Sequence, residues 1–280
     1  KRQEINGGYP ASCYWKNGQQ INLTTNGESM AFAIGIRNNG DVYVVDMAKE
    51  VFKVKKIRNF GIRKFKQMNN DGAVSYAYDL EFSETQEITT VMRKSEGMAI
   101  SENQKTIFIA EEKPQVGQFG NVSKKRYVAA FNLEDGRFLD RLIGVTMNND
   151  SIVSGYFNDS VEGICTFGNN LFVVDEKAGQ FYIFDIRSGK YKGSIGKKAY
   201  YYCNYKSDCV IDGINYNEHS IIAGLAKPHL KNDWRKNELA SPDGISTAIL
   251  ADGSSRLAIV DQWNSRILMY DLDKVLKDLE

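Results

Sequence analysis

Carboxylate–glycine steps open several short apolar runs in this chain: Glu96–Gly97, Glu162–Gly163, Asp212–Gly213 and Asp243–Gly244, with Glu28–Ser29 as a variant that keeps the acid alone. Carboxylates brought from separate stretches to one place repel each other, so such a gathering is stable only around a cation or a basic ligand. Calcium suits it, because it takes roughly six to eight oxygen ligands in loose geometry and accepts them from distant parts of a chain. The glycine lets backbone pass close to a neighbour or offers a carbonyl. Taken singly, an acid beside a strand commonly caps a turn or bonds adjacent backbone. Recurrence in one slot is what points to a shared cation site with Glu96, Glu162, Asp212 and Asp243 as ligands.

The slot belongs to a repeated unit. Ser95 to Glu112 reads SEGMAISENQKTIFIAEE, two short apolar strands joined by a polar turn, which is an antiparallel hairpin. Ser160 to Glu176 (SVEGICTFGNNLFVVDE) and Ser241 to Asp261 (SPDGISTAILADGSSRLAIVD) repeat it, and fainter copies run from Glu28 to Asp46 and from Asp212 to Gly224. A hairpin cannot bury its own apolar face, so repeats of it must stack on one another. Four-strand units of roughly 40 to 50 residues around a closed ring describe a β-propeller. The expected fold is therefore all-β, one propeller domain over residues 1–280, with six blades or, given incomplete units near Asp71 and Asp212, five. The first strand of each blade lines the channel, and the acid–glycine step lies at its mouth.

Around these hairpins the order of strands is legible. Ala11 to Leu23 is a hairpin turning at Asn17–Gly18, without an acid–glycine opening, and is expected to complete the C-terminal blade and close the ring. Val51–Ile57 and Ile62–Lys66 read as strands, Ala73–Phe82 and Glu87–Met92 as a pair of outer strands, and Arg126–Leu133 and Arg137–Ile143 as two more strands joined by Glu134–Asp135–Gly136. The cleanest cycle is the unit from Val161 to Ile195, with VEGICTF, LFVVD, QFYIFDI and KYKGSIG. Lys274 to Glu280 reads as a short terminal helix.

Composition sets limits. Lys and Arg total 36 against 35 Asp and Glu, a balance that argues against nucleic acid as the main partner. Basic residues do concentrate from Lys49 to Lys66, where a solvated outer strand is the simpler explanation and an anion site the other. No apolar run approaches the ~20 residues that span a bilayer. Of the cysteines, Cys203 and Cys209 could close a small loop and Cys13 could pair with Cys165; their spacing is not that of a zinc site. The start at Lys1 fits removal of a signal peptide and fits a trimmed chain equally. A secreted or periplasmic location is the expectation.

The repeat also carries a resemblance. SEGMAISENQKTIFIAEE resembles the corresponding stretch of the β-propeller phytases, calcium-dependent phosphatases with six blades, and of the phytase-like and esterase-like propellers grouped with them. The likeness implies that Glu96 and Glu112 are a pair of calcium ligands, that Glu162 in VEGICTF is another, and that Asp243 in DGISTAI, with Asp212 in DGINYN as second candidate, completes the cluster. The N-terminal Asp-Asp-Pro-Ala motif of that family is missing from this sequence. More distantly, the last unit resembles NHL-type propellers and relatives of gluconolactonase, in which a channel calcium polarises a lactone or ester.

Two functions follow. One is a calcium-dependent hydrolase of phosphate or carboxylic esters, with Lys94 or a lysine of the Lys49–Lys66 stretch as the cation against substrate and His229 as a substrate-side base. No GxSxG elbow or zinc motif supports another hydrolytic chemistry. The other is a non-catalytic propeller that binds a protein, peptide or glycan through its channel mouth and loops, with Trp15, Trp234, Trp263 and the Tyr200–Tyr205 cluster as anchors.

Overall fold

The computed structural model describes residues 13–16, 19–22, 29–48, 61–70, 73–83, 95–111, 125–148, 151–157, 160–198, 209–211, 214–216, 238–262 and 266–279. They belong to two compact units, Lys1–Tyr156 and Phe157–Glu280.

The first unit begins with a hairpin, β1 (Cys13–Lys16) against β2 (Gln19–Asn22), whose register sets Lys16 opposite Gln19 as a two-residue Asn17–Gly18 connection requires. β3 (Ser29–Ile36), β4 (Val42–Ala48), β5 (Gly61–Asn70) and β6 (Ala73–Asp79) then form an up-and-down antiparallel sheet, followed by the one-turn helix α1 (Leu80–Ser83). A second sheet of the same topology has β7 (Ser95–Ile100), β8 (Thr106–Glu111), β9 (Tyr127–Asn132) and β10 (Phe138–Ile143). The hairpin β11 (Val145–Asn148) and β12 (Ser151–Gly155) ends the unit.

TIFIAE and YVAAFN are apolar almost without interruption because β8 and β9 are buried on both faces. One core joins both sheets, with Tyr43, Val45 and Ile62 from the first against Ile107, Ile109, Tyr127 and Phe131 from the second. Each large side chain taken fully from water in this core contributes ~1.5–3 kcal/mol.

The basic stretch is partly interior. The Lys64 ammonium lies 5.1 Å from the centroid of Phe82 and 5.8 Å from that of Tyr43, and 3.5 Å from the Asp79 carboxylate. Lys66, with an exposed side chain, reaches the same carboxylate at 2.9 Å, and Arg63 donates to the Tyr78 hydroxyl. These lysines hold β5 to the end of β6, and Asp79 also accepts from the Phe82 N–H, fastening α1. The expected strand through Phe82 therefore stops at Asp79, where the acid turns the chain into a helix instead.

The second unit opens with β13 (Val161–Phe167), β14 (Asn170–Asp175), β15 (Gln180–Asp185) and β16 (Tyr191–Ile195), again an up-and-down sheet. Short pairings follow: β17 (Lys197–Lys198) lies parallel to β20 (Glu238–Leu239), and β18 (Cys209–Ile211) pairs with β19 (Ile214–Tyr216). β21 (Pro242–Ile249), β22 (Ser255–Asp261) and β23 (Arg266–Asp271) make a three-stranded sheet. The terminal helix α2 (Leu272–Lys277) is capped by Asp271, whose carboxylate accepts from the Lys274 N–H at 3.1 Å. Phe172, Val174, Phe181 and Ile183 pack with Leu257, Ile259, Leu272 and Val275 into the second core.

Four sheets with the topology of propeller blades, two stacked in each unit, thus account for most described residues. Among the described pairings β1 bonds to β2, and β23 has β22 as its ladder partner. Cys165 is a half-buried free thiol, so the Cys13–Cys165 bridge is not formed. Cys203 and the side chain of Cys209 lie outside the described residues.

Asp79 yields a test. Burial alone would raise its pKa, but the Lys66 hydrogen bond, the Phe82 N–H and the charges of Lys64 and Lys66 outweigh it and hold the carboxyl below the usual range. A depressed folded-state pKa gives stability that is present above the unfolded value, ~3.9, and is lost as pH falls through the folded value. Urea unfolding should show that loss below about pH 4 in the native chain and a shallower loss in Asp79→Asn; parallel acid limbs would remove Asp79 from the account.

Candidate functional site

The acid–glycine slot is a β-bulge. In β7, Ser95 faces Glu111 while Gly97 faces Ala110, so two steps along the inner strand match one along its partner. In β13, Val161 faces Asp175 and Ile164 faces Val173; in β21, Pro242 faces Asp261 and Ile245 faces Ile259. Each inner strand carries one residue more than the strand it pairs with, at Glu96–Gly97, Glu162–Gly163 and Asp243–Gly244. The first sheet has its bulge between Ala31 and Ala33, beyond Glu28 and without an acid.

In the second unit two bulges meet. A Cβ placed on Gly163 would lie 2.3 Å from the Asp243 carbonyl oxygen and 3.0 Å from the Ile245 nitrogen. No side chain fits there, which is the physical reason for glycine after Glu162. Farther along the same strands the Thr247 hydroxyl donates to the Thr166 carbonyl at 3.0 Å, so β13 and β21 run side by side. Glu162 is half-buried and its Oε1 accepts from the Ser160 hydroxyl at 2.6 Å, whereas Asp243 is exposed. Glu96, in the first unit, is half-buried at its own bulge.

A second set of acids closes the hairpins and is fully buried: Glu111, Asp175 and Asp261 are each 0% exposed. A buried carboxylate is tolerable only with hydrogen-bond partners. Glu111 accepts from the Ser95 hydroxyl at 2.8 Å, Asp175 from the Ala178 N–H at 3.0 Å, and Asp261 from the Ala240 N–H and Arg266 Nε, both at 2.8 Å. Each also acts on a tyrosine. Burial raises the Tyr127 phenol and Glu111 adds to it; burial, with Asp175 adding, pushes Tyr182 up to about 12. Tyr270 is raised by burial, with Arg266 opposing and Asp261 adding. These acids fasten the end of one strand to the start of another. Their carboxyl groups sit inside the sheet ends and not at an open site.

The expected ligands thus separate by position. Glu162 and Asp243 lie on touching bulges, and Glu96 occupies the equivalent slot of its own unit. Glu112, Asp212, Lys94 and His229 lie outside the described residues, as do Trp234, Trp263, the Tyr200–Tyr205 cluster and the side chain of Trp15. Glu111, the residue opposite Ser95, is not singled out by the sequence; the signal for it is the acid closing each apolar second strand. Glu162, Asp243 and the Asp243 carbonyl are hard oxygen donors of the kind calcium takes. Among the described residues no group of three His, Cys, Asp or Glu side chains gathers in a way that could hold a metal ion. The Cys165 thiol, pushed up by burial, is no candidate ligand or nucleophile.

No protein-family model matches the sequence, and no curated protein matches it. Solved structures similar to it include a hydrazine synthase from Kuenenia stuttgartiensis (14% identity, TM-score 0.43, 88% of this chain and 54% of that one). The periplasmic gluconolactonase PpgL of Pseudomonas aeruginosa shares 11% identity at a TM-score of 0.41, over 89% of this chain and 58% of its own. A virginiamycin B lyase from Staphylococcus aureus shares 12% identity at a TM-score of 0.35, over 89% and 57%. This chain spans little more than half the length of each. Among the described residues no helix is long and apolar enough to cross a membrane.

The contact at Gly163 can be weighed against one of another kind. A Cβ on Gly193 would lie 2.3 Å from Leu279 Cδ2, the movable end of a side chain, whereas on Gly163 it meets backbone. Gly163→Ala should cost about 1–3 kcal/mol in urea unfolding, the range of overpacked sites. Gly193→Ala should fall near neutrality, because reduced freedom of the unfolded chain offsets it by ~0.4–1 kcal/mol. Equal costs would mean that β13 and β21 do not approach so closely.

Proposed function

We propose that this chain is a calcium-binding β-propeller that hydrolyses phosphate or carboxylic esters, lactones included, in a secreted or periplasmic setting. In this reading the blades number six, or five, and the N-terminal hairpin adds a strand beside β23 to complete the C-terminal blade. The observation that carries it is the meeting of the Glu162–Gly163 and Asp243–Gly244 bulges, which sets two acid-bearing steps from different sheets in backbone contact. Glu162, Asp243 and the Asp243 carbonyl would hold the ion, with Asp212 as a further ligand and water completing a shell of the loose kind calcium accepts.

Bound there, calcium would polarise a phosphoryl or carbonyl oxygen and acidify a bound water. The protein's own share is orientation. The Ser160 hydroxyl fixes the Glu162 carboxylate. Gly163 admits the Asp243 backbone to its side, so the spacing of the two acids is set by main chain rather than by mobile side chains. Lys94 and His229 are the candidates for charge neutralisation and proton transfer on the substrate side.

Calcium at a hundred times its Kd should stabilise the protein by about 2.7 kcal/mol in thermal or urea unfolding. Release of phosphate from inositol phosphates, or of acid from aryl esters and lactones, should rise with calcium and vanish with a chelator. Glu162→Gln and Asp243→Asn should each diminish both effects. Stabilisation without turnover would leave an ion that only braces the sheets. Neither effect would leave the non-catalytic binding propeller.

A further inference from the structure

Ser241 stands two residues before Asp243, buried at 3% exposure, with φ of 60°. That left-handed conformation is uncommon for any residue with a side chain and persists only where the surroundings hold it. The surroundings are specific. The Ser241 hydroxyl donates to Glu176 Oε1, which lies just past the end of β14, and the Ser241 carbonyl accepts from the Gln262 N–H at 3.1 Å. Glu176 in turn donates its own N–H to the Ser160 carbonyl at 2.9 Å, and Ser160 holds Glu162 through its hydroxyl at 2.6 Å. One line of hydrogen bonds therefore runs from Glu162 through Ser160 and Glu176 to Ser241, and the chain continues through Pro242 to Asp243. The close approach of the Asp243 carbonyl to Gly163 closes the circuit.

We infer that Ser241 and Glu176 are positioning residues of the Glu162–Asp243 site: the hydroxyl–carboxylate bond across the two sheets sets where β21 begins and hence where Asp243 stands relative to Glu162. This inference rests on the proposal that the two acids share a cation. Glu176 acts as an acceptor for Ser241 and not as a ligand, and a neutral carbonyl in its place keeps that acceptor. The left-handed backbone at residue 241 belongs to the same device, since it aims the hydroxyl at the third sheet while the main chain turns into β21.

Terbium, a luminescent stand-in for calcium, can be titrated into the full chain and displaced with calcium, with thermal melting in metal-free buffer measured beside it. Ser241→Gly keeps the left-handed backbone and removes the hydroxyl. It should melt within a few degrees of the native chain yet bind terbium about tenfold more weakly, the scale on which partners that orient metal ligands act. Glu176→Ala should weaken binding likewise, and Glu176→Gln should restore it to within about twofold, the low end of that scale. If Ser241→Gly binds as the native chain does, the inference falls while the cation site stands. It falls equally if Ser241→Gly lowers the metal-free melting and leaves affinity untouched, for the bond would then only brace the sheets. Glu176→Gln as weak as Glu176→Ala would make Glu176 a ligand and overturn its role as an acceptor that positions β21. Failure of the native chain to bind terbium at all would remove the shared cation and this inference with it.

Discussion

An inner strand with one residue more than the strand it pairs with cannot keep a regular ladder. Something must leave the pleat at that point, and in β7, β13 and β21 it is an acid followed by glycine. The bulge bends the strand and turns up its local twist, while glycine removes the side chain that would hold the neighbouring sheet away. Between β13 and β21 the second effect is decisive, since the approach of backbone to Gly163 leaves no room even for a methyl group. The packing of Phe172, Val174, Leu257 and Ile259 depends on that approach, because the core between the third and fourth sheets is only as close as their inner strands allow.

The same region separates two kinds of carboxylate. Glu111, Asp175 and Asp261 are removed from water and would be untenable without the hydroxyl, amide and guanidinium donors that meet them. Their effect is local: they fix strand ends and raise neighbouring phenols. The bulge acids stand closer to solvent, Asp243 most of all. Position along the hairpin, first strand or second, decides which kind a given carboxylate is.

What is legible in the sequence follows from this. The third sheet can be read almost strand by strand, because LFVVD and QFYIFD are apolar runs bounded by turn residues. The first sheet is harder. GIRKFKQMNN looks like a solvated strand, and nothing in the spacing of its lysines shows that Lys64 is enclosed by Tyr43, Phe82 and Asp79 while Lys66 is not. AVSYAYDLEF alternates straight through the point where Asp79 turns it into a helix. The hairpin at Val145–Gly155 escapes a reading by pattern, since VTMN and SIVSG are too polar and too short to stand out. As for the candidate site, the recurring acid–glycine step is visible, but its meaning requires knowing which residue faces which across two strands. Register is a property of the pair, and no single strand states it.

A bulge is also a natural place for chemistry, for a reason that does not depend on which ligand binds. A residue in a regular ladder has its backbone groups committed to neighbours on both sides and its side chain committed to one face. The extra residue of a bulge is released from part of that commitment, so its side chain can be aimed and its carbonyl can be offered, yet the flanking ladder on either side keeps it from wandering. In β13 and β21 two such residues are set against each other by main-chain contact. Their relative placement is then fixed by main chain, whose ordering entropy is already spent in folding the sheets.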